Sequence, residues 1–260
     1  MKLRDALREA EERLAAAGVD TPRVDAELLL AHVAGTTRSG LYADLDREVD
    51  STVEPLLARR VAREPLAYVL GEWGFRHLTL KTDARALVPR PETEIVVERC
   101  LALLEGSEEP RVLDIGVGSG AIALALKDEH PDAHVTGVDV SRDALSLARE
   151  NATALGLDVD LREGDVSFAA EGWDLVVSNP PYVDSLAGLQ PELHHEPEGA
   201  LIGEGMHEQI ARAAATRFLV FEVGLGLAHG VAEVLAACGY EGVTITQDLA
   251  GIDRVVEGRR

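Results

Sequence analysis

The second half of the chain alternates between short apolar segments and helical patterns. Residues 112–115, 134–139 and 173–178 are short and rich in β-branched residues, and helical patterns over 121–127 and 143–155 separate them. Parallel strands need a crossover of a dozen or more residues, which is usually a helix. The alternation therefore predicts an α/β fold with a mostly parallel sheet and helices on both of its faces.

The first 90 residues have a different pattern. Helical periodicity runs through 3–14, 24–33 and 53–61, which predicts a small bundle of amphipathic helices. Apolar and polar residues then alternate over 73–80, with glycines as punctuation, as is typical of a β-hairpin. We predict a helical domain over residues 1–70, a β-hairpin linker over 71–90 and an α/β domain over 91–260.

A glycine-rich segment follows the first predicted strand of the α/β domain. Gly116, Gly118 and Gly120 lie between this strand and a helix, and glycine permits positive φ and a close approach of ligand to backbone. In doubly wound sheets, ligands bind at the carboxyl ends of the strands, where this loop is expected. The G-x-G-x-G spacing differs from the G-x-G-x-x-G of dinucleotide-binding turns. A simple packing turn is the alternative interpretation.

Two acidic residues follow the next strands. Asp139 ends the second strand, where a carboxylate can accept hydrogen bonds from both hydroxyls of a ribose, although an acidic residue there also serves NAD. Together with the D-x-G-x-G-x-G order of residues 114–120, it resembles the S-adenosylmethionine loop of methyltransferases. Asp165 follows the third strand, and it either meets an adenine amino group or serves as a turn or N-cap residue.

The segment Asn179-Pro180-Pro181-Tyr182 at the end of the fourth strand is the most specific motif. Neither proline can donate to a strand ladder, so the pair forms a rigid exit from the sheet. The Asn179 side-chain oxygen and the Pro180 carbonyl can each accept one hydrogen of a substrate NH2 group, which orients a poorly nucleophilic nitrogen. Tyr182 is expected to pack over a planar substrate group. The motif predicts methyl transfer to nitrogen without an ionised general base.

Charge and cysteine usage restrict the partners. The chain carries 25 basic and 46 acidic residues, a net charge of −21, which disfavours direct nucleic-acid binding. Cys100 and Cys238 are too few for a disulfide framework, and no Cys/His cluster suggests a metal, so His194 and His195 are interpreted as loop residues. No signal peptide or apolar run long enough to span a membrane occurs, so we expect a cytoplasmic monomer without membrane contact.

Five separated segments together resemble the PrmC/HemK family of peptide chain release factor N5-glutamine methyltransferases. They occur in the family's order at residues 63–71, 87–94, 179–182, 196–203 and 248–256. The resemblance implies methylation of the glutamine amide in the Gly-Gly-Gln motif of class-1 release factors, with S-adenosylmethionine as cofactor. It also implies a substrate-docking helical domain, a β-hairpin linker and a Rossmann-like, seven-stranded methyltransferase domain.

The resemblance also assigns roles to residues. The glycine loop would hold the methionine portion of the cofactor, Asp139 its ribose, and the N-P-P-Y segment the substrate glutamine. The expected cofactor contacts are Gly116, Val117, Gly118, Ser119, Gly120, Asp139, Asp165, Val166 and Asn179. The expected catalytic residues are Asn179, Pro180 and Tyr182, and the expected substrate contacts are Asn179, Pro180, Pro181 and Tyr182. Phe75 and residues 90–92 are expected to shape a wall of the pocket.

Two positions depart from the family pattern. Arg63 stands where a small residue, usually glycine, is expected before Glu-Pro. Val166 follows Asp165 where an aromatic residue is common, so the adenine wall is either Phe168 or aliphatic.

Three other function classes compete with this interpretation. A nucleic-acid amino-methyltransferase also uses N-P-P-Y, but it would need a basic channel. A non-catalytic, cofactor-binding adaptor would not need an intact N-P-P-Y. An NAD-dependent oxidoreductase is disfavoured by the glycine spacing.

Overall fold

The computed structural model describes residues 1–49, 52–183 and 185–260 and consists of two compact units. The helical unit contains Met1–Glu72 and also Leu189–His195, a segment from much later in the chain. The sheet unit contains Trp73–Gly188 and Glu196–Arg260. The helical unit is therefore discontinuous in sequence, which the periodicity of residues 1–70 does not reveal.

The helical unit is built on amphipathic helices whose apolar faces meet in its interior. Its described helices are α1 (Leu3–Ala16), α2 (Pro22–Val33), α3 (Arg38–Leu41), α4 (Val53–Val61), α5 (Leu66–Leu70) and a 3-10 helix over Pro191–His195. Leu3, Leu7 and Leu14 lie on one face of α1 and are fully buried. Helical spacing of leucines thus becomes a packed core, as the sequence pattern requires.

The late segment is held in the helical unit by ion pairs. The Glu192 carboxylate accepts hydrogen bonds from Arg63 Nε and Nη2, both at 2.7 Å, and from Arg60 Nη1 at 2.8 Å. Arg60 is itself buried and also donates to Asp25 Oδ2 at 2.7 Å. Burial opposes ionisation of Glu192, but the bonds from the two arginines outweigh it and lower the pKa of Glu192 to about 2.

The chain continues through a hairpin into the sheet unit. The hairpin strands are β1 (Glu72–Phe75) and β2 (Leu78–Lys81). The strands that follow are β3 (Arg111–Ile115), β4 (His134–Asp139), β5 (Asp160–Glu163), β6 (Trp173–Ser178), β7 (Thr216–Glu222), β8 (Glu241–Gln247) and β9 (Asp253–Arg259). The helices between them are α6 (Thr93–Leu104), α7 (Ala121–Glu129), α8 (Arg142–Leu155), α9 (Glu198–Leu201), α10 (Met206–Ala213), α11 (Ala228–Ala237) and a 3-10 helix over Val166–Glu171.

The seven later strands form one sheet in the order β5-β4-β3-β6-β7-β9-β8. The pairs from β5 to β7 are parallel, whereas β9 runs antiparallel to both β7 and β8. The predicted α/β fold with a seven-stranded sheet and a preceding hairpin is confirmed. Because β3, β4 and β6 are parallel neighbours, their carboxyl ends open at the same edge, where ligands bind in such sheets.

Helices cover both faces of the sheet. Successive residues of a strand enter different cores: Val112 packs with α6 and α7, and its neighbour Leu113 packs with α10 and α11. The central strands are buried almost throughout, which explains why they are continuous apolar runs in the sequence. No helix among the described residues has the length and apolarity needed to cross a membrane.

Candidate active site

A cavity of about 580 Å³ opens at the carboxyl ends of β3, β4 and β6. Residues from several predicted site segments line it, namely Gly116, Val117, Gly118, Ser119, Asp139, Asp165, Val166, Asn179 and Pro181. Other lining residues come from the 85–90 segment, Thr93 and the 197–203 segment. The structure thus brings the glycine loop and the N-P-P-Y segment, about 60 residues apart in sequence, to one cavity.

The glycine loop is a turn fixed by backbone hydrogen bonds. Gly116 N and Val117 N both donate to Val138 O, at 2.8 and 3.0 Å, which ties the end of β3 to β4. Gly116 has a φ of +75°, and a Cβ placed there would meet nothing within 4 Å. Glycine is therefore required by the backbone conformation and not by crowding from protein atoms, which leaves space at the loop for a ligand.

Asp139 uses both carboxylate oxygens to hold the surrounding backbone. Its Oδ2 accepts from Gly118 N at 3.0 Å and its Oδ1 from Ser141 N at 2.8 Å. An ionised carboxylate offers about four acceptor positions, so two stay available to ligand hydroxyls. Asp139 therefore fixes the glycine loop and keeps the acceptor capacity that a ribose diol needs.

A second carboxyl group, that of Asp114, lies buried beneath the loop. Its Oδ2 accepts from Ala123 N at 3.2 Å, and among the described residues its Oδ1 has no hydrogen-bond partner. Burial raises the pKa of Asp114 to about 7, and the negative charge of nearby Asp139 also raises it. The hydrogen bond from Ala123 N lowers the pKa of Asp114, but by less. The acidic residue that begins the D-x-G-x-G-x-G pattern thus joins β3 to the first turn of α7.

Asp165 has the capping role that the sequence left open. Its side chain accepts from Ser167 N at 2.9 Å at the start of the 3-10 helix, and the pKa of Asp165 is lowered by hydrogen bonding to Ser167. Asp165 also lines the cavity, so the cap does not exclude a ligand contact. Val140 and Val166 line the cavity beside it, whereas Phe168 packs into the core and against Gly164. The wall next to Asp165 is therefore aliphatic.

The N-P-P-Y segment leaves β6 at the centre of the sheet. Ser178, the last residue of β6, is buried and donates from its hydroxyl to Ile115 O at 2.7 Å. Asn179 follows at the cavity, and its Nδ2 donates to Thr93 Oγ1 at 3.4 Å. A strand end between two parallel neighbours gives Asn179 a rigid base, and the prolines after it restrict the backbone further.

Tyr182 packs within the sheet unit against aromatic neighbours. Its ring stacks on His207 at 6.5 Å, and His207 meets Phe221 edge-on at 5.2 Å. Burial raises the pKa of the Tyr182 hydroxyl, and Glu222 acts in the same direction. Burial also lowers the pKa of His207, whose Nε2 lies 2.9 Å from Glu222 O. Tyr182 is therefore neutral at pH 7 and held by packing.

The chain after N-P-P-Y is fastened to the segment that returns to the sheet unit. Val183 N donates to Leu201 O at 2.9 Å, and Gly203 N donates to Val183 O at 3.3 Å. The buried Glu196 carboxylate accepts from Val88 N at 3.1 Å and from Arg90 Nη2. Residues of two predicted family segments, at 87–94 and 196–203, are thus joined through one acidic side chain.

Comparisons with known proteins match this architecture. The PrmC N-terminal domain matches residues 5–71, and the methyltransferase small domain matches residues 93–204. The release factor glutamine methyltransferase of Deinococcus radiodurans is 42% identical over 276 residues, covering 100% of this chain and 99% of that protein. The chain belongs to the release factor glutamine methyltransferase family. The relative of the same name from Vibrio cholerae is 39% identical over 279 residues, covering 98% of this chain and 95% of that protein.

Solved structures agree on the fold. The hMettl16 catalytic domain, in complex with the MAT2A 3'UTR hairpin 6, superposes with a TM-score of 0.57 at 16% identity. The match covers 78% of this chain and 81% of that chain. At this identity the likeness concerns the fold alone.

This family member is an S-adenosylmethionine-dependent methyltransferase, and the cavity fits that cofactor. The open space at Gly116, the free acceptor positions of Asp139 and the aliphatic wall of Val140 and Val166 suit an amino acid, a ribose and an adenine. When bound, S-adenosylmethionine supplies a methyl group on a positively charged sulfur.

Several predicted residues lie outside the cavity lining. Gly120, Pro180 and Tyr182 are adjacent to lining residues, but they do not line the cavity themselves. Phe75, expected at a pocket wall, is instead buried in the core with α6 and α7. His194 and His195 belong to the 3-10 helix of the helical unit. Among the described residues, no group of three or more His, Cys, Asp or Glu is arranged to hold a metal.

Sequence reasoning missed three polar residues around the motif. Thr93 lines the cavity, donates to Glu222 Oε2 at 2.6 Å and accepts from Asn179. His207 supports Tyr182. Two signals were visible: Thr93 stands in the 87–94 family segment, and Glu222 ends a strand of apolar residues, where a buried carboxyl is rare unless it has a partner or a function.

Proposed function

We propose that this enzyme transfers the methyl group of S-adenosylmethionine to the side-chain amide nitrogen, N5, of the glutamine in the Gly-Gly-Gln motif of class-1 release factors. One observation carries the proposal. Asn179 borders the same cavity as the glycine loop and Asp139, in a chain whose relatives are named release factor glutamine methyltransferases. Methyl donor and amide acceptor would thus meet in one cavity.

The chemistry requires that an amide nitrogen be oriented and its conjugation weakened. The Asn179 Oδ1 and the Pro180 carbonyl each accept one hydrogen of the substrate NH2 group, so the nitrogen lone pair points towards the methyl group. These acceptors also stabilise the positive charge that develops on the nitrogen as the bond forms. The amide proton becomes acidic only at that stage, so no ionised base has to be in place beforehand.

The remaining groups of the motif shape the acceptor side of the site. Pro181 lines the cavity. Tyr182 lies next to it outside the lining, and in this proposal its neutral ring, which stacks on His207, faces the planar amide of the substrate. Glutamine recognition then needs only hydrogen-bond acceptors and planar surfaces. A chain of net charge −21 also favours a protein acceptor over a nucleic acid.

The proposal extends to the other parts of the chain. The helical unit, which matches the PrmC N-terminal domain, docks the release factor, and the hairpin links it to the catalytic unit. We place the reaction in the cytoplasm, with the enzyme acting as a monomer on a folded release factor.

The test is methylation of a purified class-1 release factor with labelled S-adenosylmethionine, followed by mass spectrometry of the peptide that contains Gly-Gly-Gln. We expect one methyl group on the glutamine and none on a release factor in which that glutamine is replaced by glutamate. DNA and RNA fragments serve as competing substrates. Labelled nucleic acid with an unlabelled release factor would instead indicate a nucleic-acid amino-methyltransferase.

Replacement of Asn179 tests the role of the motif. The variant Asn179→Ala removes one of the two hydrogen-bond acceptors, so we expect turnover to fall by at least about 100-fold, as for the loss of other preorganised transition-state contacts. S-adenosylmethionine affinity, measured by titration calorimetry, should change only a few-fold. Unchanged turnover would contradict the proposed role of Asn179.

A further inference from the structure

Behind Asn179 lies a short chain of hydrogen bonds that ends at a buried carboxyl group. Asn179 Nδ2 donates to Thr93 Oγ1 at 3.4 Å, and Thr93 Oγ1 donates to Glu222 Oε2 at 2.6 Å. Thr93 and Glu222 are 4% and 3% exposed, so the bond between them is largely shielded from solvent. Three elements contribute one residue each: the end of β6, the start of α6 and the end of β7.

The chemistry of the three groups sets the direction of the chain. A threonine hydroxyl has one proton, whereas an ionised carboxylate can only accept. When Glu222 is ionised, the Thr93 proton is committed to it, and Thr93 can offer only a lone pair to Asn179. The Asn179 amide must then turn its NH2 group towards Thr93, and its oxygen towards the opposite side.

We infer that Thr93 and Glu222 are positioning residues, which hold the Asn179 amide with its oxygen directed to the substrate nitrogen. This inference rests on the proposed function, because it explains how Asn179 presents an acceptor and not a donor to a substrate NH2 group. A reversed Asn179 amide would place NH2 against NH2, which is repulsive. The two residues thus select the productive orientation of a side chain that could otherwise adopt either.

The ionisation state of Glu222 makes the arrangement dependent on pH. Burial raises the pKa of Glu222 to about 7, opposed by the Thr93 bond. Of the charged groups around it, Glu92 also raises the pKa, and Arg254 and Arg90 lower it, while neutral Tyr182 and His207 lie nearby. A protonated Glu222 can donate to Thr93, which frees the Thr93 proton for the Asn179 oxygen and permits the reversed amide. Turnover should therefore rise as pH increases through about 7.

The first test removes the hydroxyl alone. Thr93→Val keeps the shape of the side chain, and we expect turnover to fall at least about 10-fold with little change in S-adenosylmethionine affinity. Thr93→Ser should restore turnover to within about threefold of wild type. Thr216→Val is the matched control. Thr216 is a buried threonine like Thr93, but it lies on β7 and its hydroxyl donates to Phe218 O, so turnover of the Thr216→Val variant should be unchanged.

A double variant shows whether Thr93 acts through Asn179. If it does, Thr93→Val should cause no further loss in an Asn179→Ala background, because the side chain that it positions is absent. Independent, multiplicative losses would overturn the inference. Glu222→Gln should flatten the rise of turnover with pH near 7, and an unaltered profile would also count against it.

A second measurement does not depend on methyl transfer. The sequence contains two asparagines, Asn151 and Asn179, so selective ¹⁵N labelling of asparagine side chains gives two NH2 signal pairs. Asn151 is an internal reference, because its Nδ2 donates to Ser119 O at 2.9 Å and Lys81 O at 3.2 Å, away from Glu222. The pair lost in Asn179→Ala identifies Asn179.

The Asn179 pair should shift with a midpoint near pH 7 in wild type, and this titration should vanish in Glu222→Gln and Thr93→Val. The Asn151 pair should stay in place. If the Asn179 signals show no such titration, the inference is wrong whether or not the enzyme methylates release factors. If they titrate as expected while wild type transfers no methyl to the release factor, the positioning chain stands and the proposed substrate is wrong.

Discussion

Arg63 adopts a backbone conformation that normally selects glycine. Its φ is +66°, in the left-handed region, at the position where the family pattern has a small residue. Its guanidinium binds the Glu192 carboxylate and also donates to Gly18 O at 2.6 Å and Ala17 O at 3.2 Å. The side chain therefore compensates for the cost of its own backbone by joining three segments of the helical unit.

Two substitutions separate the backbone cost of Arg63 from its side-chain contacts. Both Arg63→Ala and Arg63→Gly lose the pair with Glu192, which keeps Arg60 as a partner, so we expect the helical unit to lose about 1.5–3 kcal/mol of stability. Arg63→Gly also removes the Cβ strain, so it should be the more stable of the two by about 0.5–1 kcal/mol. Hydrogen exchange of α1 and α4 amides in the full chain measures both differences. Equal protection in the two variants would show that the left-handed conformation costs nothing here.

At the scale of elements, the N-P-P-Y segment packs against the segment after α9. A Cβ placed on Gly203 would lie 2.9 Å from Pro181 O and 2.7 Å from Pro181 Cγ, closer than side chains tolerate. Gly203 N also donates to Val183 O. The two segments are therefore packed closely at Pro181 and Gly203 and joined by a backbone hydrogen bond at Val183.

We expect Gly203→Ala to displace Pro181 and its neighbours in the N-P-P-Y segment. The crowding should cost about 1–3 kcal/mol of stability and lower turnover by at least about 10-fold. Gly230→Ala is a suitable control, because Gly230 lies in α11 with nothing within 4 Å of its Cβ position, and it should be neutral or stabilising. Thermal denaturation and the methylation assay measure the two effects. Full activity in Gly203→Ala would show that the N-P-P-Y segment tolerates displacement.

Elements with a strong local signal were predictable from sequence. The strands β4 and β6 have the bounds that their apolar, β-branched runs predicted, because glycine, proline and polar residues delimit them. The four- and five-residue helices α3 and α5 were not predicted, since they are too short to show helical periodicity. Antiparallel pairing of β9 with β7 likewise depends on contacts that no local pattern encodes.

The candidate site likewise contains residues that local motifs predicted and residues that they did not predict. The glycine loop and Asn179 were predicted from short motifs, and parallel strand topology accounts for their meeting at one cavity. Thr93 stands in the 87–94 family segment, but its bond to Glu222 was missed because 129 residues separate the two and no local pattern shows that they meet. The bonds that hold the Asn179 side chain come from tertiary packing, which a single sequence does not display.

At the scale of the whole molecule, two groups of carboxyls respond to pH in opposite directions. Hydrogen bonding to Tyr42 lowers the pKa of Glu27 to about 2, and arginine partners do the same for Glu192, so both contribute stability that is lost as pH falls from about 4.5 to 2. Asp114 and Glu222, raised to about 7 by burial, bind protons more tightly in the folded chain. Their effect is to reduce stability as pH rises from about 4 to 7.

Replacing Asp114 or Glu222 with its neutral amide should remove the contribution of that residue to the loss of stability between about pH 4 and 7. The free energy of unfolding of the cofactor-free chain should fall over pH 4–7 by up to about 1.4 kcal/mol per pH unit for each buried acid. Asp114→Asn and Glu222→Gln should each make this slope shallower, and the double variant should make it shallower still. Urea denaturation at a series of pH values measures the slopes. Identical slopes in wild type and Asp114→Asn would show that the carboxyl of Asp114 does not stay protonated at neutral pH.

The assignment of Leu189–His195 to the helical unit has a consequence for truncation of the chain. The polypeptide passes between the two units three times, after residues 72, 188 and 195, so the helical unit consists of two separate pieces of chain. Arg60 and Arg63 belong to the first piece and Glu192 to the second, so their ion pairs require both pieces. Deletion of residues 1–72 would therefore leave the Glu192 carboxylate without its arginine partners, and residues 1–72 alone would lack the carboxylate that Arg63 binds.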